Sequence, residues 1–427
     1  MARRAASHPP ARGAAALIVV MLLFFVISMV AAYASRNLIF EQKTSANQYR
    51  ATQAFEAAEA GLEWAIAMLN GGRIDASCAP STNVANNSFR ARYLQMDADS
   101  GVFTPRTWDN AGATEPLHPS CVRSDAGWVC SCPTAAAPAL AAPGGTGQYP
   151  AFRISFEPVA QPGAVRVESV GCTRLDENCL STGQGSGGEA AARVSVVVAI
   201  NSALATPPVA ALTARGNIDV GGALLRLLNM DAASGGITAH AGGTVTVPPA
   251  QLRSVPGTPA EASVVDSDAN LAALSAEHMF SATFRMAKSR YREQGGAVVL
   301  TDCAAACSTK LRDAVQAFPG RVIWVEGDMT IESDVALGSV AEPVLIVSSG
   351  NVALDAGSVQ IVGLLYSQAV DWDNAGLGAV TVQGAAVAEG NFIGDGTPLI
   401  QYDPAVLKTL RLGTGTMVRV PGSWRDF

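Results

Sequence analysis

Few side chains in this sequence stand at spacings that could carry chemistry. Gly183, Gly185 and Gly188 complete a G-x-G-x-x-G. Such glycines cradle a dinucleotide pyrophosphate only where they follow a strand and open a helix. Here they fall in the polar loop "STGQGSGGEA" ahead of a β-rich run, so no nucleotide site is read from them. The four histidines, His8, His118, His240 and His278, lie in separate segments, and no H-E-x-x-H, Walker A or G-x-S-x-G pattern occurs. His278 is expected beside the apolar face of a helix. "DWDNAG" from Asp371 starts like a calcium loop, but its fifth position is Ala375 and no Glu stands at the twelfth. A second "WDNAG" begins at Trp108, and both read as Asx turns. No cofactor is expected, and calcium is the one ion for which even part of a loop is present. Asp355, Asp371, Asp373, Asp395 and Asp403 could converge on a stack of β-coils, as a polysaccharide-cleaving site requires. Most of them sit at turns, and no catalytic residue is assigned.

The cysteines point to a compartment, not a metal. Cys78, Cys121, Cys130, Cys132, Cys172, Cys179, Cys303 and Cys307 all follow the apolar N-terminal segment. Cys130 and Cys132 are closer than a C-x-x-C pair, and no His lies near any of the eight. An even count beyond an export signal reads as disulfides formed in an oxidising compartment. Connectivity is open, although Cys172–Cys179 and Cys303–Cys307 each bracket a short loop.

The elements that carry these residues follow from composition and pattern. A length of 427 residues suggests two or three domains. Only 15% of residues are charged, Gly numbers 41 and aromatics are few, which suits a β-rich, turn-rich body. A net charge of −7, with no Lys/Arg run after residue 12, excludes a nucleic-acid binder.

Between Arg12 and Arg36 there is no charged residue. About 20 apolar residues suffice to cross a bilayer as a helix. Arg3, Arg4 and Arg12 keep the head cytoplasmic and place everything after Arg36 outside. A secretory signal would end in an A-x-A-like site and a change of pattern. Here helical periodicity continues instead, with Phe55, Ala58, Leu62, Ile66 and Leu69 on one stripe and Asn70-Gly71-Gly72 as the stop. One helix from about Ala14 to Leu69 would be roughly 80 Å long. Read from the residues alone, it could still be an uncleaved signal anchor.

The stretch "RGAAALIVVMLLFFVISMVAAYASRNLIFEQKTSANQYRATQAFEAAEAGLE" resembles the N-terminal segment of PilX-type minor pilins of type IV pili. The family's "A-F-x-A-A-E-A-G-L" is here Ala54 to Leu62, with Phe55, Glu59 and Leu62 in it. The resemblance implies cleavage after Gly13 by the prepilin peptidase and methylation of the new N-terminus, Ala14. It also implies a protein held in the Gram-negative inner membrane by one pass, with its C-terminus periplasmic, and later placed in the pilus at the cell surface. Its partners would be the major pilin, other minor pilins and the tip adhesin. Major pilins carry a Glu at the fifth position after cleavage; this chain has Ile18 there. The resemblance therefore favours a tip or priming subunit that supports assembly, adhesion and motility. A tip pseudopilin of a type II secretion system, or a membrane-anchored polysaccharide-active β-helix protein, are the alternatives.

The expected fold is α+β. Residues 1–13 are a leader, 14–71 the pilin helix with its membrane part at 14–35, and 72–205 an antiparallel pilin-like β domain. "SFRARYLQM", "FRISFEPV", "AVRVESVGC" and "ARVSVVVAIN" read as its strands, and "ALATPPVA" marks the boundary. Residues 206–427 are expected to form a second, β-solenoid-like or rolled-sheet domain, with a β-sandwich as the alternative. There Gly216-Asn217, Gly327-Asp328, Gly350-Asn351 and Gly390-Asn391 recur ahead of apolar residues, and "VQIVGLLYSQA" aligns with "VTVQGAAVAEG" at an offset of 21. A helical insertion at about 260–320 is expected to cap the coil, with Phe280, Phe284, Ala287 and Tyr291 on one helical face.

Overall fold

A computed structural model of the chain describes residues 12–144, 149–175, 180, 189–219, 224–372, 380–394 and 397–426. A single helix runs from Arg12 to Leu69, with neither proline nor any break in its pattern until Asn70-Gly71-Gly72. Its last turn closes with bonds from Asn70 N to Ala67 O and from Gly71 N to Met68 O.

Only the C-terminal third of this spine packs on the body. Its buried stripe is Ala54, Ala57, Ala58, Leu62, Ala65 and Leu69, with Gly61 among them. Phe55 and Ile66, expected on the stripe with Ala58, Leu62 and Leu69, are half-buried at its margins. The reason is close approach. A Cβ on Gly171 would lie 2.2 Å from Ala54 O and 2.3 Å from Ala58 N, and one on Gly61 would lie 2.4 Å from Ser169 Oγ. Small side chains therefore face the sheet, and the larger apolar ones flank the contact.

The sheet beneath is antiparallel, in the order Gly415–Arg419, Ala191–Ser202, Ala164–Cys172, Ala151–Pro158, Ser120–Ser124, Gly127–Ser131. Alternation puts Phe152, Ile154, Phe156, Val165, Val167, Val194, Val196 and Val198 into one core with Ala58, Leu62 and Leu69. Three of the expected strands are here. "SFRARYLQM" differs: Ser88 Oγ accepts from Ala91 N as an N-cap, Phe89–Tyr93 is a helix, and only Leu94–Met96 is a strand. The strand Gly415–Arg419, which the sequence placed in the second domain, completes this first sheet.

Residues 212 to 402 build two further sheets whose strands pair in parallel. The stretches offset by 21 lie side by side, with Val359 opposite Val380, Ile361 opposite Val382 and Gly363 opposite Gly384. A Cβ on Gly384 would stand 2.0 Å from Gly363 O, so both glycines are needed for the strands to stack. The Gly-Asx turns stack by the same logic. Asp328 Oδ1 accepts from Asn351 N at 2.7 Å, Asn391 Oδ1 from Asn217 N at 2.8 Å, and Asn217 Oδ1 from Thr244 N at 2.9 Å. A Cβ on Gly216 or Gly350 would meet the Asx side chain below at 2.1 or 2.4 Å. At Gly216 and Gly350 the turn thus needs a glycine to clear the neighbouring coil, while Asn217, Asp328 and Asn391 each lend a carbonyl-bearing side chain to the next one.

Stacking order departs from chain order. Leu212–Ala214 pairs with Ala386–Ala388 on one side and Ala239–Ala241 on the other, while Ala297–Leu300 forms the opposite edge beside Val322–Val325. The chain therefore crosses from one end of the stack to the other through Ala269–Ala273, Ala276–Phe284 and Lys288–Glu293. These helices, expected to cap the coil, lie over the outer face of its strands. Phe280, Phe284 and Tyr291 pack on Trp324, Leu345, Val347, Leu364 and Tyr366. The inner face of the same strands, including Ile323, Ile346 and Ile361, fills a separate core. Val344–Ser348 is buried throughout, which explains its unbroken apolar run.

Candidate assembly helix and its joint to the body

The N-terminal part of the spine has nothing to pack against within the chain. Every described residue from Ala16 to Tyr49 is exposed, including Ile18 at 59%, and the segment's mean hydropathy reaches 2.8 over eighteen residues. Its length and composition suit a membrane crossing. So much apolar surface in water would be unfavourable by roughly 25 cal/mol per Å². It requires lipid or other apolar helices. From Arg36 to Tyr49 the helix turns polar and forms a stem of roughly 20 Å between the crossing and the body. Arg36 lies over the Phe40 ring at 5.6 Å there.

The far end of the helix is held by charge. The last carbonyls of a helix have no partner within it and carry partial negative charge. Arg90 donates to Leu69 O from Nε and Nη2 at 3.2 and 3.1 Å, and also to Gly413 O and Gly415 O at 3.1 Å each. Arg321 donates to Asn70 O and Gly295 O, and at 3.2 Å to Gly296 O. Arg73 donates to Asn86 O at 2.7 Å and to Gln316 O, and pairs with Glu342 at 3.2 Å. Burial, then the neighbouring Arg321, pulls Arg90 down to about 10, so it keeps its charge at neutral pH. One guanidinium comes from the antiparallel unit and one from the parallel stack. Both units thus bind the same helix terminus.

Disulfides brace the first unit. Cys78–Cys132 ties the segment after the helix to the end of the Gly127–Ser131 strand, and Cys121–Cys130 links the two strands of a hairpin. Cys303–Cys307 is one of the two local pairs the sequence suggested. Cys172 is also disulfide-bonded, while Cys179 lies outside the described residues.

Residues 12–63 match the family model described as PilX N-terminal. The PilX N-terminal match begins at the head of the helix and ends two turns before its stop, so it covers the exposed crossing, the stem and most of the seated stripe. Residues from 64 onward lie outside it. Among curated proteins nothing matches. The crystal structure of the competence-associated pilin ComZ from Thermus thermophilus aligns at 12% identity over 88% of this chain and 97% of that one, with a TM-score of 0.22. At that score the alignment carries no argument about this fold.

Gly13 and Ala14 fall in the first turn of the matched helix, Ile18 lies one turn further, and Glu59 is exposed on the seated part. Among the described residues the remaining motifs do not come together. Gly183–Gly188 and Asp373 and Asp395 lie outside the described residues. Asp403 caps the helix Pro404–Gly413 and accepts from Gln383 Nε2 at 2.8 Å. The "WDNAG" at Trp108 is a hairpin turn in which Asp109 Oδ1 accepts from Gly112 N at 2.7 Å. Among the described residues no three His, Cys, Asp or Glu side chains gather as a metal site. Sequence reasoning missed the joint. Its arginines are isolated in sequence, and the one local signal was the polar Asn70 at the helix stop.

Proposed function

We propose that this chain is a PilX-type minor pilin, a tip or priming subunit of a type IV pilus that works by assembly and performs no catalysis. One observation carries the reading: a helix whose uncharged segment is exposed from Ala16 to Ser35 continues without a break, through a polar stem, into a C-terminal third seated on the body. The uncharged segment suits lipid before assembly and a bundle of other pilin helices afterwards. The seated third and the arginine joint hold the body in a fixed relation to that bundle. The prepilin peptidase would cut after Gly13, and Ala14 would become the methylated N-terminus. The protein would wait in the inner membrane with its body in the periplasm, where the disulfides form.

Placement at the tip rests on Ile18. A carboxylate at that depth is tolerated when it pairs with an amine of a neighbouring subunit. A subunit with no neighbour above has no amine to meet, and an apolar side chain is then the stable choice. The body behind the helix reads as a pilin-like β domain followed by a short β-solenoid, because its strands stack in parallel through repeated Gly-Asx turns. It would face the major pilin, other minor pilins and the tip adhesin. A tip pseudopilin of a type II secretion system would share the missing carboxylate. Filaments sheared from cells at native expression separate the readings. Immunogold label at filament ends is expected, and label along the shaft, or retention of all the protein in the inner membrane, contradicts the tip assignment.

A further inference from the structure

We propose that the cavity beside the buried Arg92 binds a small oxyanion, a carboxylate or a phosphate. It lies in the antiparallel unit, and the inference does not depend on the assembly reading. Arg92 projects from the helix Phe89–Tyr93 and is 3% exposed. Its Nη1 donates to Asp75 O and Cys132 O at 2.7 Å each, and its Nη2 donates to Ile74 O. All three acceptors are neutral carbonyls, and the buried Nε has no partner among the described residues. The Asp75 carboxylate acts on this charge only from a distance, because its Oδ1 accepts from Ser77 and Ala79. Burial still pulls Arg92 below its ordinary value. A guanidinium is therefore enclosed with no carboxylate bound to it, whereas buried charges are as a rule paired.

The cavity has room for the missing partner. Asn87, Arg92, Gln95, Arg106, Thr107 and Thr134 are its polar lining, and none of them is acidic. Arg106 is fixed beside the helix by its backbone, whose N donates to Tyr93 O at 2.8 Å. Its side chain is exposed and makes no hydrogen bond or ion pair among the described residues. Glu115 stands opposite Trp108 on one face of the Thr107–Pro116 hairpin, and Thr107 turns to the other. Asp109 shares the Thr107 face, but its Oδ1 is held in the turn by Gly112 N.

An oxyanion fits that inventory. The Arg106 fork matches an edge of a carboxylate or phosphate, and the amides and hydroxyls of the lining add donors. Arg92 contributes its charge from the floor. A cleft lined by one sign of charge concentrates the opposite sign. A metal cation would face two guanidiniums and no carboxylate of the described lining. The space is about 280 Å³, below the range of drug-sized ligands. It suits an inorganic anion with its waters or a small organic acid.

The test uses the full chain in lipid nanodiscs, in chloride buffer at constant ionic strength. Inorganic phosphate and malonate are titrated separately by calorimetry, and the tighter of the two tells a phosphate site from a carboxylate site. Saturable binding of at least one is expected, with a roughly tenfold loss of affinity in Arg106→Gln. Gln95→Glu, also exposed, keeps the size of the side chain and sets a carboxylate at the cavity. It should weaken binding several-fold with an unchanged melting temperature. Three results would each overturn the proposal. They are no saturable heat with either anion, wild-type affinity in Arg106→Gln, or wild-type affinity in Gln95→Glu.

Discussion

Asn70 and Met417, separated by 347 residues, hold each other as neighbouring strands would. Asn70 Nδ2 donates to Met417 O at 2.9 Å, and Met417 N donates to Asn70 Oδ1 at 2.7 Å. One side-chain amide at the end of the spine therefore satisfies both outward groups of the last strand in the antiparallel sheet. It also donates to Ile66 O at 3.1 Å. Helix terminus, sheet edge and arginine joint meet at this residue.

Replacing Asn70 by Ala removes these bonds and leaves Met417 N and O with no partner in a half-buried place. A loss of about 1–3 kcal/mol is expected. Hydrogen exchange should show Gly415–Arg419 opening first in the variant. Unchanged protection of that strand would show that Asn70 does not hold it.

The contact of helix and sheet is set by absent side chains. Gly171→Val should push the spine off the sheet, because the added atoms would run into the helix backbone at Ala54 and Ala58. Overpacking of this kind costs about 1–3 kcal/mol or more. Phe55→Ala, at the margin of the stripe, should cost less than Leu62→Ala, at its centre. Limited proteolysis near residue 50 reads both, and equal sensitivity of the two alanine variants would argue against this seating.

Here the sequence was informative in one respect and silent in another. The period of the helix was legible because apolar residues recur every three or four positions. The face was read one step off, because Phe55 and Ile66 weigh more than Ala54 or Gly61 on any hydropathy scale, whereas packing rewarded smallness. The repeat at an offset of 21 was legible from aligned glycines. The return of Gly415–Arg419 to the first sheet was not, since a strand's partner leaves no local trace. Neither was the placement of His118 beside Arg153, which depends on a register between distant strands.

The two disulfides of the first unit should differ in weight. Cys78–Cys132 closes a loop with a sequence separation of 54, and Cys121–Cys130 one of 9. Loop-closure entropy alone favours the longer by about 1.5 kcal/mol. Thermal unfolding of the paired serine variants should show the larger drop for Cys78/Cys132. The reverse order would mean that the hairpin link acts through the native state.

Acid should weaken the body above the range in which its carboxylates titrate. His118 titrates near 4 in the fold, against an ordinary value of 6.5, because burial and then Arg153 disfavour its charged form. The unfolded chain therefore binds the extra proton first, and stability falls as pH drops from about 6.5 to 4. His118→Gln should flatten that part of the profile of melting temperature against pH. An unaltered slope would place the acid sensitivity elsewhere.

On the proposed function the exposed helix is a processed pilin helix and not a permanent anchor. Mass spectrometry of the N-terminal peptide, on protein recovered from sheared filaments, tests it most directly. A chain that begins at methylated Ala14 and lacks residues 1–13 is expected. A peptide that runs uncut through Gly13–Ala14 would contradict it and leave the helix a plain membrane anchor.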